Sequence, residues 1–315
     1  MTMPATDTPR LRNAQSPMQR RWQRFRHHRM AMASSILLAA MILLALLAPG
    51  IAALLDIDPA ATDLFNRFAE PGNGNFLGTD EAGRDVFLRL LYGGQVSLGV
   101  GLASAIASGV IGALIGLVAG YYGGHVDSAL MRITDAVIAL PLLPLLIVLA
   151  AVDLTKLGFS VETATDPAVS AFRMIFILTV FGWTTAARLV RAETLALRQR
   201  DFIRAAEALG ARPLRLLFLH ILPNIGTPLV VATTLSIGNV ILFESVLSFL
   251  GLGIQPPMPS WGNMLTNAQD VIWDAPLLAV WPGMSIFLTV IAFNFLGDGL
   301  QFALNPKTGT TSGMK

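Results

Sequence analysis

Long apolar runs broken by short polar segments set the plan of this chain. A helix that crosses the hydrocarbon of a bilayer needs about 20 apolar residues, and six runs approach that length: residues 30–55, 97–119, 136–152, 174–187, 228–249 and 275–296. The third contains Pro141 and Pro144, which predicts a kink. The fourth has only fourteen cleanly apolar positions and must borrow its ends from flanking sequence. Within the second, Ser104, Ser108, Gly112, Gly116 and Gly120 recur every four positions and share one helical face. Small side chains stacked in this way let a neighbouring helix approach closely, so the stripe predicts helix packing. A groove lined by these glycines for a substrate is the alternative.

The polar segments carry their own periodicity. In the long connection 56–96, Thr79 is placed as an N-cap, Asp80 and Glu81 occupy a first turn, and Val86, Phe87, Leu90 and Leu91 follow at helical spacing. This predicts a short helix lying on the membrane surface. The acids lack the ligand spacing and central glycine of an EF-hand, so they do not read as a calcium loop. Residues 201–224, "DFIRAAEALGARPLRLLFLHILPN", interrupt the apolar pattern with a charged, helix-shaped insert. Phe202, Ala205, Ala206 and Leu209 fall on one face and Arg198, Asp201, Arg204 and Glu207 on another. Gly210 suits a C-cap, Pro213 can open a second helix, and Leu222-Pro223 should end it. Alanines at the surface leave a smooth face for docking into a groove, which a solvated linker has no need of.

Charge orients the pattern. With the N-terminus inside, the inside segments (1–29, 120–135, 188–227 and 297–315) hold 17 of the 22 basic residues, and the outside loops hold 12 of the 20 acids. Cytoplasmic loops retain Lys and Arg, so this bias supports six spans with both termini cytoplasmic. Arginines sorted by membrane side also remove the case for nucleic acid that the +2 net charge would otherwise raise. The first run is about twice the length of a signal-peptide core and lacks a small-residue cleavage site, so it reads as a retained anchor. Only 13% of the chain is charged and 54% is hydrophobic, against roughly 25% charged in soluble domains. With no cysteine, packing and backbone hydrogen bonds must hold the fold. The expectation is an all-α integral membrane protein. Its parts are a cytoplasmic tail (1–29), an N-terminal span with a long outer loop (30–92), a transmembrane core (93–298) and a second cytoplasmic tail (299–315).

The insert resembles a known motif. Permease subunits of binding-protein-dependent ABC importers carry Glu-Ala-Ala, three residues, Gly, nine residues, Ile, one residue and Leu-Pro in this loop. Here the register holds Arg204-Ala205-Ala206, Gly210, His220 and Leu222-Pro223, differing at Arg204 and His220. The segments "FLGTDEAGRDVFLRLLYGGQVSL", "GLVAGYYGGHVDSALMRITDAVIALP", "SVLSFLGLGIQPPMPSWGNML" and "FNFLGDGL" look like those of the dipeptide/oligopeptide branch, in the subunit type with an extra N-terminal helix; the likeness spans about residues 20–305.

The resemblance implies a type I importer transmembrane domain in the bacterial inner membrane. It further implies that this chain forms half of a pore with a second permease subunit. Two ATPase subunits would bind ATP and Mg and pull on the helix built from Asp201, Arg204, Ala205, Ala206, Glu207, Leu209 and Gly210, and an external solute-binding protein would deliver a di- or oligopeptide. Glu207 could supply the acid that Arg204 displaces. The outer segments near 80–91 and 253–265 would face the binding protein or gate the pore. Relatives of this branch take nickel chelates, glutathione, opines or oligosaccharides.

Several chemistries find no residues. The three lysines, Lys156, Lys307 and Lys315, lie in no phosphate-cradling loop, so ATP hydrolysis belongs to partners and no cofactor is expected on this chain. His27, His28, His125 and His220 lack metal-ligand spacing, and no hydrolase motif occurs. Glu244 is the ionisable residue well inside a span, and such residues are functional candidates; a structural acceptor bonded to Ser245 or Ser248 competes with a gating role. A secondary transporter with Glu244 as proton relay is the rival class, but such proteins show inverted repeats and several intramembrane charges. A structural scaffold is the third class. Residues 153–173 have no account in the sequence.

Overall fold

A computed structural model describes residues 16–304 other than 73 and 267. The remainder of both tails predicted from the sequence lies outside the described residues. Twelve α-helical segments and no strand occur among the described residues. Helix α1 (Pro17–His27) leads into α2 (Arg29–Leu55), an apolar helix of 27 residues. Helix α3 (Val86–Tyr122) follows a long loop, then α4 (Gly124–Ala139), α5 (Leu142–Ala150), α6 (Val161–Thr165) and α7 (Pro167–Arg198). Helix α8 (Asp201–Ala208) precedes α9 (Pro213–Arg215), which runs through a π turn (Leu216–Ile221) into α10 (Leu222–Phe249); α11 (Ala268–Val271) and α12 (Leu277–Leu304) complete the chain. Five helices are long and apolar enough to cross a membrane, or six if the bent pair α4 and α5 forms one crossing.

Three expectations are corrected. The surface helix expected at Thr79 does not form. Its apolar positions instead begin α3, so surface segment and second span are one helix of 37 residues, about 55 Å long against a hydrocarbon thickness of about 30 Å. Asp85 is the cap, its Oδ1 accepting from the Leu88 amide at 2.8 Å. Thr79 is buried in the preceding turn, where its hydroxyl accepts from the Ala69 amide and donates to the Asn66 carbonyl.

The third span is broken rather than kinked: α4 and α5 meet at 83°. Pro141 forces the preceding Leu140 into extended backbone (φ −74°, ψ 139°), and the helix cannot pass through it. The fourth span, short by apolar count, does borrow its ends from flanking sequence: it is a 32-residue helix capped by Asp166 and opened by Pro167. Its polar ends are paid for by tertiary bonds, as where the Arg173 guanidinium donates to the Leu252 carbonyl at 3.2 Å. The last third of the unexplained outer segment, from Pro167, is therefore the start of α7.

Leu222-Pro223 does not end a helix. The π turn moves the pairing one residue back, with the Leu222 amide on the Leu217 carbonyl. This widened turn accommodates the missing proline N–H, and the helix continues to Phe249.

The glycine stripe is a packing surface. A Cβ built on Gly112 would lie 2.5 Å from the Trp183 carbonyl oxygen. One on Gly116 would lie 2.5 Å from that of Ala187, and one on Gly120 2.6 Å from Thr194 Cβ. At Gly112, Gly116 and Gly120 helix α3 thus lies directly on the backbone of α7, with no room for a solute at these positions. Ion pairs join α4 to α7 at one end, Asp127 with Arg191 and Asp135 with Arg188. Overpacking a close contact costs about 1–3 kcal/mol, and here the obstructing atoms are backbone. Gly116→Val is accordingly expected to lower the thermal unfolding midpoint of the purified chain by several degrees. Gly99→Val on the same helix, where a Cβ meets nothing within 4 Å, should leave it unchanged.

Candidate functional site

Two constellations stand at opposite ends of the bundle. At the end that carries α1 and the arginine-rich connection, α8 projects from the membrane-crossing helices. Its first turn bears Asp201, and its last is closed by a paired cap: the Gly210 amide donates to the Glu207 carbonyl at 2.9 Å and the Ala211 amide to that of Ala206 at 3.1 Å. The cap requires the left-handed conformation found at Gly210 (φ +80°), which glycine adopts without a Cβ penalty.

A single side chain fixes this helix to the body of the protein. Ile203 is fully buried among Leu117, Val190, Leu217, Ile221 and Ile225, joining α8 to α3, α7, the π turn and α10. Burying such a side chain contributes about 1.5–3 kcal/mol. Apart from Ala206, the rest of the helix faces outward. Asp201, Arg204, Ala205, Glu207 and Gly210 are exposed, Ala206 is half-buried, Phe202 is 46% exposed and Leu209 89%. The apolar face read from the sequence is therefore free surface, with Phe202 and Leu209 flanking a floor of alanine. Sequence reasoning missed Ile203, because in a helix of two turns Phe202 and Ile203 are equally good anchors by spacing.

At the opposite end Glu244 is fully buried on α10. The Ser248 hydroxyl donates to its Oε1 at 2.7 Å and the Ser97 hydroxyl to its Oε2 at 3.1 Å, with Ser245 Oγ at 3.5 Å. Two of these serines pass the connection on. Ser97 Oγ accepts from the Trp261 amide and Ser248 Oγ from the Ile254 amide, both at 3.1 Å. The Trp261 indole N–H then donates to the Leu90 carbonyl at 3.0 Å.

Glu244 thus clamps the start of α3 and the loop 250–266 to α10. Gly253 and Gly262 make that close approach achievable, since a Cβ on either would fall within 2.7 Å of Ser248 or Ser245. Ser245 and Ser248 were legible as neighbours on one helix; Ser97 and Trp261 come from elements far apart in sequence and had no local signal.

The two outer segments singled out by the sequence meet here. Asp80, Arg84 and Arg89 form one network, with Asp80 Oδ2 accepting from Arg84 Nε at 2.8 Å and ion-paired with Arg89 Nε at 3.2 Å. Together with Gln255 and Asn263 these residues line a cleft of about 290 Å³. Burial raises the Asp85 carboxyl above its ordinary range, against the lowering effect of the Leu88 and Phe87 amides. No cluster of three or more His, Asp or Glu able to hold a metal occurs among the described residues.

The fold defines an all-helical membrane domain with a small capped helix standing off one end, and the family match places it in the type I ABC permease class. Residues 112–310 match the family described as binding-protein-dependent transport system inner membrane component, and residues 16–71 match the N-terminal TM domain of oligopeptide transport permease C. The chain belongs to this family: it is an inner-membrane permease subunit of an ABC importer of the dipeptide/oligopeptide type. It is 38% identical over 294 residues to the dipeptide transport system permease protein of Alkalihalophilus pseudofirmus, covering 93% of this chain and 91% of that one. It is 40% identical over 296 residues to the glutathione transport system permease proteins of Escherichia coli O157:H7 and Shigella sonnei, with the same coverage.

Proposed function

We propose that this subunit forms half of the translocation pore of an ATP-driven importer of short peptides. In this reading α8 is the element on which the ATPase acts. The observation that carries it is the exposure of Phe202, Ala205 and Leu209 on a helix capped at Gly210 and tethered through Ile203 alone. A helix with an apolar outer face and one anchor in the core fits a partner's groove and can transmit that partner's movement to α3, α7 and α10.

The end bearing α8 then faces the cytoplasm, with both termini, as the distribution of arginine supports. A second permease subunit completes the pore, two ATPase subunits carry ATP and Mg, and an external solute-binding protein docks at the end that holds residues 56–85 and 250–266. ATP binding shifts the inward–outward equilibrium because the ATPases contact α8 differently in the two states. Glu244 holds the outer loop against the pore helices. A proton carrier would need contact with water, and here serine hydroxyls surround the carboxyl.

A dipeptide and glutathione share amide bonds and zwitterionic ends, and both relatives' substrates fit a peptide class. Proteoliposomes holding the complete importer and its binding protein should accumulate a radiolabelled dipeptide only with ATP inside the vesicle's cytoplasmic-equivalent face. Unlabelled tripeptides and glutathione should compete. Competition by a nickel chelate or an oligosaccharide, with none by peptides, would overturn the peptide reading while leaving the importer class intact.

A further inference from the structure

Exposed faces of the long helices are of two kinds. On α3 the exposed stripe is Ile106, Val110, Leu114 and Val118, wholly apolar and suited to lipid. On α7 and α10 the exposed positions at similar depth include Thr185 and Asn239, and the Asn239 carboxamide makes no hydrogen bond among the described residues. An unpaired carboxamide facing hydrocarbon costs several kcal/mol, so such a residue faces water or a polar partner instead.

Thr185 and Asn239 line a cavity of about 580 Å³ between α3, α5, α7 and α10, within the size range of small-molecule sites. Its polar wall is completed by Thr233 and Ser236, and Phe181 and Phe243 provide aromatic faces. No charged side chain lines it. A second cleft of about 720 Å³, nearer the end that bears α8, shares Ala232 and Leu235 with it, and this one does carry charge, Arg21 and Glu193. The two cavities follow one another along α10.

We infer that this cavity, centred on Asn239 and Ser236, is a water-lined binding station for the solute in transit, which takes amide-bearing solutes by hydrogen bonding and is indifferent to their net charge. The inference rests on the transport reading above. A carboxamide, hydroxyls and aromatic faces match the amide groups that all peptides share. With no fixed charge in this wall, acidic and basic side chains are neither attracted nor repelled by their sign there.

The chain has no cysteine, so one introduced thiol can be followed by the mass of this subunit. In the complete importer, Asn239→Cys and Ser236→Cys should each react with membrane-impermeant methanethiosulfonate reagents at least about tenfold faster than Val110→Cys, because a thiol in hydrocarbon does not ionise. Cationic and anionic reagents of equal size should react at similar rates, and modification of Asn239→Cys should block dipeptide uptake. Asn239→Cys and Ser236→Cys both as inert as Val110→Cys, or a strong preference for one reagent charge, would overturn the inference. Uptake of the labelled dipeptide by the unmodified importer tests the peptide reading separately, since thiol reactivity does not depend on which solute is carried.

Discussion

Gly210→Val is expected to abolish ATP-coupled uptake while the chain still inserts in the membrane. Gly210 holds φ +80°, a conformation that costs an L-residue roughly 1–2 kcal/mol, and a β-branched side chain is among the least tolerant of it. That cost falls on a helix of eight residues held by one buried side chain and a two-bond cap. Losing the cap leaves the Ala206 and Glu207 carbonyls unpaired and lets the last turn fray, which displaces Leu209 from the outer face. No atom lies within 4 Å of a Cβ at this position, so the effect is conformational and confined to α8. Asparagine, which tolerates the left-handed region, should restore most of the uptake. Uptake by reconstituted importer, alongside the thermal midpoint of the isolated chain, separates the two effects: the first should vanish and the second stay within a few degrees.

The second large effect is expected at Glu244. Alanine there removes the shared acceptor of Ser97 and Ser248 in a fully buried site, and each stranded donor costs about 1–3 kcal/mol in addition to the cavity left behind. The bonds from those serines to Trp261 and Ile254 are weakened at the same time. Glu244→Ala should therefore lower the unfolding midpoint by more than any surface substitution and expose loop 250–266 to proteolysis. Glutamine keeps the size and one acceptor oxygen, so Glu244→Gln should fold and transport at close to the original level. A proton relay predicts the reverse for glutamine, with stability kept and transport lost.

How much of this was legible in the sequence follows from the range of the interactions. Helix existence, the α3 packing stripe and the Gly210 cap were readable because each depends on residues within a turn or two of one another. Helix ends were less so. The count of apolar residues undervalued α7, whose ends are satisfied by a cap and by bonds such as Arg173 to Leu252. Proline was misjudged in both directions, since Pro141 breaks the third span outright while Pro223 is absorbed by a π turn that composition does not announce. The surroundings of Glu244 were half legible: its own helix supplies Ser248, but Ser97 and Trp261 arrive only through tertiary packing. Ile203, on which the reading of α8 depends, is one apolar residue among several until the fold shows which one is buried.

The central claim is that the outer face of α8 docks the ATPase, and co-purification of the ATPase subunits with this chain tests it most directly. Leu209 is almost fully exposed and no part of the core depends on it, so Leu209→Asp leaves the fold unchanged. The account predicts that the Leu209→Asp chain inserts and pairs with its permease partner normally but retains few or no ATPase subunits on purification. ATPase recovered with Leu209→Asp at the same stoichiometry as with the original chain, with uptake intact, would contradict it.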